Sequence, residues 1–176
     1  MQFELKSISP QGIPEALAKV ERYRLLNEPT LAESICLDIL AVDPSHQQTL
    51  IALFLTRTDQ FSSDSSMGLN AKAAQEVLAQ ITGDYEHAYY TGILWERLGH
   101  ARMRQGGHGE AAYHALREAM THYERAESFN IPGNEDATLR WNTCARVIMQ
   151  NPHMWPHEHV EEAWTRDEAG SRIADA

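Results

Sequence analysis

The stretch Ala32 to Pro44, AESICLDILAVDP, constrains this chain more than any other. Its apolar or small residues Ala32, Ile35, Cys36, Ile39 and Leu40 fall at the i, i+3, i+4, i+7, i+8 spacing of one helix face. Asp43-Pro44 then stops the helix, because a proline pushes the residue before it out of the α region. Ser45, with Gln48 three residues later, is expected to close a capping box for the next helix. Helix, sharp stop and immediate new helix is the unit that the rest of the chain varies.

Residues 1–12 read as an N-terminal lead-in. A first helix is expected from Pro14, a residue that suits the first helical position, to about Leu26, with Leu17, Val20 and Tyr23 on one side. Asn27-Glu28-Pro29 breaks it, and the AESICLDILAVDP stretch is the second helix. A third covers His46 to Thr58, and Asp59 to Gly68 (DQFSSDSSMG) is loop-like. A fourth runs to Thr82 with the stripe Ala74, Val77, Leu78, Ile81 and with Gly83 at its C′ position. A fifth, capped by Asp84, ends at Gly106-Gly107, and a sixth runs from Gly109 to Phe129. Asn134 is expected to cap a seventh, which has the acidic first turn Glu135-Asp136, the buried side Ala137, Trp141, Cys144, Ala145, Ile148, and an end at Asn151-Pro152. A short eighth is placed around Glu158 to Arg166. No segment alternates in polarity between turn dipeptides, so the expected class is all-α, with about seven or eight helices. Short connections make consecutive helices antiparallel neighbours.

Charge and cysteines narrow the function. A formal net charge of −10 argues against a general nucleic-acid or anionic-membrane binder, since counterion release needs clustered Lys and Arg, although an acidic protein can still carry a local basic patch. The longest apolar runs, such as Leu50 to Leu55, fall far short of the roughly 20 residues that span a bilayer. The start, MQFELKSISP, has no basic region followed by an apolar one, so no export signal is expected. Cys36 and Cys144 sit far apart within helical patterns and read as reduced thiols of a cytoplasmic protein.

Self-similarity follows the period of a known repeat. Ile13 to His46 spans roughly 34 residues and resembles a tetratricopeptide repeat, with Ala32, Cys36, Ile39 and Pro44 at the small, aromatic, small and proline positions of its second half. In the first half Tyr23 matches the usual tyrosine, while Ala16, Lys19 and Val20 replace tryptophan, leucine and glycine. A second match starts at Trp95-Glu-Arg-Leu98-Gly99, the opening W-x-x-L-G of the repeat, and continues through Ala112, Leu116 and Ala119 after one extra residue. Arg102 departs from the tyrosine position, and the terminal proline is missing. The resemblance covers about two thirds of the chain. It implies antiparallel hairpins stacked as a short α-α superhelix over residues 13–151, with the seventh helix as its cap and residues 152–176 as a His- and Trp-containing C-terminal segment. Small residues at Ala32, Gly92, Gly99 and Ala112 would let helix backbones approach.

Arrays of this kind are similar to scaffolds that hold a peptide or protein segment in a groove. The family's groove positions map to Leu17, Glu21, Arg24 and Leu25 on the first helix, Gln48, Ile51 and Leu55 on the third, and Ile93, Glu96, His100 and Arg104 on the fifth. The bland alternative is a short array closed on itself, with these residues as core and rim. The clamp that some members use for a C-terminal carboxylate needs Lys and Asn where Leu17 and Glu21 stand, so a chaperone-tail receptor is not expected.

Other chemistries compete less well. His153, His157, His159 and Glu162 could ligate zinc or nickel, His159 and Glu162 sharing a helix face, and the bland reading is a solvated terminal segment. Glu96-His100 and Glu118-His122 read as surface pairs. No G-x-S-x-G, phosphate-cradling glycine loop or H-E-x-x-H occurs, so neither enzyme nor cofactor is expected. Cys144 reads as a small buried hydrophobe rather than a nucleophile, and Tyr85, Tyr89, Tyr90 and Trp95 read as core. Trp155 and Trp164 are candidate exposed anchors for a homodimer.

Overall fold

The computed structural model describes residues 3–61, 67–106 and 109–156, with the backbone alone for 67–69. These residues form seven α-helices and no strand: α1 (Ile13–Leu25), α2 (Pro29–Val42), α3 (Gln47–Asp59), α4 (Met67–Leu78), α5 (Asp84–Gln105), α6 (Gly109–Glu127) and α7 (Asp136–Gln150). Single 3-10 turns precede and follow them at Pro10–Gly12 and Pro152–Met154. The all-α class is as expected. The eighth helix expected around Glu158 to Arg166 lies outside the described residues.

Where the helices start and stop, local chemistry differs from the expectation in four places. Pro29 does not break the chain but opens α2, where its missing N–H costs nothing. The reversal is made just before it by Asn27, in the left-handed region at φ 58°. Ser45 does not cap α3: its backbone N–H and hydroxyl both donate to Asp43 Oδ1 at 3.1 Å, and the cap passes to His46, whose Nδ1 accepts the Thr49 N–H. α4 stops at Leu78, and Gly83 (φ 95°) is the N-cap of α5, with Asp84 already its first residue. Asn134 acts one residue early, its Oδ1 accepting the Asp136 N–H at 3.0 Å while Glu135 holds the N-cap position of α7.

Each helix packs on the next, most extensively α5 on α6, and α1 also meets α3 as α3 meets α5. The order of contacts shows opposite directions. On α5 and α6, Gly92 faces Tyr123, Gly99 faces Leu116, and Arg102 donates to the Ala111 carbonyl. On α6 and α7, Glu124 accepts from Trp141 and Glu127 accepts from Thr138. On α3 and α4, Arg57 donates to the Ala73 carbonyl, while Gln47 Oε1 accepts from Thr82 N just past the end of α4.

One core runs through all seven helices. Val20, Ala32, Cys36, Ile39, Phe54, Ala74, Leu116, Tyr123 and Cys144 are all fully enclosed. Burying a side chain of the Val, Ile or Phe class is worth about 1.5–3 kcal/mol. Close approach is set by glycine at two points. A Cβ at Gly92 would lie 2.5 Å from Tyr123 Cε1, and one at Gly99 would lie 2.9 Å from Leu116 Cγ. No helix among the described residues is long and apolar enough to cross a membrane.

Candidate functional site

The last turn of α1 brings Glu21, Arg24 and Leu25 to one side by their i, i+3, i+4 spacing. The last residue of α3, Asp59, reaches the same place, as does Arg97 from the middle of α5. Arg24 Nε donates to Asp59 Oδ2 at 2.9 Å, and Arg97 Nη2 stands 3.3 Å from Asp59 Oδ1. One carboxylate therefore ties α1 and α5 to α3. Around it lies a cleft of about 510 Å³ lined by Glu21, Arg24, Leu25, Asn27, Asp59 and Arg97. Leu25 is 89% exposed at its lip. Arg97 Nε is buried without a hydrogen-bond partner among the described residues.

The expected groove residues do not stay together. Glu21, Arg24 and Leu25 line the cleft. Leu17, Ile51 and Leu55 are half-buried and packed on the core, and Gln48 is exposed. Arg104 donates from Nη2 to the Phe61 carbonyl at 2.7 Å. Ile93 and Glu96 do not line a groove, being 2% and 4% exposed. Glu96 instead points between α6 and α7, where Oε2 accepts from Tyr123 Oη at 2.6 Å and Oε1 from Arg140 Nη1 at 3.0 Å. His100 is half-buried beside it, with Nε2 3.9 Å from Glu96 Oε1.

Electrostatics follow from these placements. Burial, then Glu96, pushes the Tyr123 phenol far above its usual range, so it stays a neutral donor. Burial works against the charge of Arg140, yet Glu96 and then Tyr123 hold its pKa above the ordinary arginine value. Burial lowers the pKa of His100, with Glu96 opposing. Burial, then Tyr89, pushes Tyr90 up to about 12. Tyr90 meets Phe54 edge-on at 5.7 Å, and Tyr89 lies 5.9 Å from Tyr123, so the tyrosines of α5 pack inward.

The remaining candidates carry less. Cys36 and Cys144 are fully buried, and burial raises both thiols to about 12. Such thiols are inert small hydrophobes. His153 is exposed on the 3-10 turn, whereas His157, His159, Glu162 and Trp164 lie outside the described residues. Among the described residues no group of three or more His, Cys, Asp or Glu is placed to hold a metal. Glu96 of the Glu96-His100 pair is buried, so that pair is not a surface pair. Trp155 is half-buried and donates from Nε1 to the Ile148 carbonyl at 3.0 Å, which occupies the anchor expected to be free.

Asp59, Arg97 and Asn27 were not among the expected site residues. Arg97 could have been found from Tyr90: residues 90, 97 and 104 recur at i, i+7, i+14, and all three touch α3 or the residue run leaving it. Compared with protein-family models, curated proteins and solved structures, the chain matches none.

Proposed function

We propose that the chain is a non-catalytic protein-interaction module. In this reading α1–α2, α3–α4 and α5–α6 are tetratricopeptide-like hairpins, α7 caps them, and a peptide or protein segment lies along the face of α1, α3 and α5. The cleft where these three helices meet carries the reading: it combines guanidinium donors, a carboxylate and a leucine that is 89% exposed. Mixed apolar and charged lining suits an amphipathic helix or an extended segment. Further support comes from Gly99, where Leu116 and the Ala112 carbonyl occupy the space a Cβ would take, as a small residue at a hairpin contact requires. A cytoplasmic location belongs to the same reading.

The test is an affinity capture from cytoplasm with the intact protein and with an Arg24→Glu, Arg104→Glu double variant. A set of partners lost from the variant, and kept by an exposed-face control such as Met149→Glu on α7, supports the groove. Identical partner sets for all three proteins would remove it.

A further inference from the structure

The cleft between α1, α3 and α5 has more donors than the fold uses. Each guanidinium carries five N–H donors. Toward Asp59, Arg24 spends its Nε and Arg97 its Nη2. Arg97 Nε is buried and has no partner within the described residues. A buried, unpaired donor is costly, and more so when it belongs to a charged group. The trio of two guanidiniums and one carboxylate carries one net positive charge. Glu21 also lines the cleft and brings its four charged side chains into balance, so guanidinium N–H geometry rather than net charge selects the ligand.

Resting on the groove reading above, we propose that this cleft recognises an aspartate or glutamate side chain of the partner segment, next to an apolar residue. The side-chain carboxylate takes the Nη N–H groups of Arg24 and Arg97 that Asp59 leaves free, while the enclosed Arg97 Nε stays out of its reach. Asp59 holds both arginines at the cleft before the partner arrives, so little ordering is left to be done on binding. The neighbouring apolar residue covers Leu25 at the lip.

The probe is a random dodecapeptide library displayed between constant flanks, so that no chain end is free, panned on the intact protein. Selected peptides are then made with acetylated and amidated ends and titrated by fluorescence anisotropy. The expected peptides share an acidic residue beside an apolar one. Changing that acid to its amide weakens binding to the unaltered protein about ten-fold or more. The same peptide change has little effect on an Arg97→Gln or Arg24→Gln protein, each checked by thermal melting to be folded. Peptides without a shared acid, or indifferent to the acid-to-amide change, overturn the acidic anchor. If those peptides still lose affinity for Leu25→Asp, the groove reading survives alone. If no peptide is enriched over an unrelated protein, or none responds to Leu25→Asp or Arg24→Gln, both fall together.

Discussion

Tyr123 Oη donates to Glu96 Oε2 at 2.6 Å, a buried hydrogen bond that joins α6 to α5. The other oxygen of Glu96 takes Arg140 of α7. About 100° further round α5, Asp59 joins α3 to α1 and α5 through Arg24 and Arg97. Two carboxylates thus tie α5 to its neighbours. Glu96, at 4% exposure, orders the C-terminal helices, and the more open Asp59 borders the cleft. Removing one member of each cluster therefore has different consequences.

Tyr123→Phe is expected to lower the unfolding free energy by about 1.5–3 kcal/mol, the range for a hydrogen bond to a charged group. Urea titration followed by far-UV circular dichroism reads it. A loss below about 0.5 kcal/mol would mean that water replaces the phenol at Glu96, contrary to the burial described.

Gly92→Ala is expected to destabilise more than Gly99→Ala. At Gly92 the new methyl meets the rigid ring of Tyr123 at 2.5 to 3.0 Å, whereas at Gly99 it meets the branched end of Leu116 at 2.9 Å. Overpacking costs about 1–3 kcal/mol, partly offset by roughly 1 kcal/mol of gained helix propensity. Melting temperatures of the two variants give the order, and the reverse order would place the tight α5–α6 contact elsewhere.

His100 and His122 make the fold sensitive to mild acid. Burial lowers the pKa of both below the ordinary histidine value of 6.5. A depressed folded pKa means that the unfolded chain binds more protons between the two values, so stability is complete above about pH 6.5 and falls as pH drops through the folded pKa. Urea midpoints measured from pH 7.5 down to 5 should decline, and His100→Gln should flatten that decline. An unchanged slope would show that His100 takes its proton without cost.

Cys36 and Cys144 should be silent to thiol reagents. Burial raises both thiols to about 12, which leaves little thiolate at neutral pH. Ellman's reagent should react slowly with the native protein, and both thiols should react at once in guanidinium. Rapid reaction of either in the native state would contradict its burial.

Helix identity was legible because apolar spacing is a property of single segments: Ala74, Val77 and Leu78, all buried on α4, were readable without knowing what covers them, although Ile81, expected on the same stripe, lies past the helix end. Ends were less legible, because caps compete. Ser45 and His46 both offer an acceptor near the start of α3, and Asp43 decides by engaging the serine. The site was half legible. The groove positions implied by the tetratricopeptide resemblance include Glu21, Arg24 and Leu25 on α1, but the same register counted from Trp95 puts Glu96 in the groove. The helix presents Arg97 there instead, one residue or about 100° further round. Asp59 was read as the start of a loop, since nothing local to it foretells two arginines arriving from α1 and α5.

The most direct test is amide hydrogen exchange of the intact protein, free and saturated with a library-selected peptide. Added protection should gather on the last turn of α1, the end of α3 and the middle of α5 around Arg97. Protection confined to the outer face of α7, or to the connector between α6 and α7, would contradict the groove.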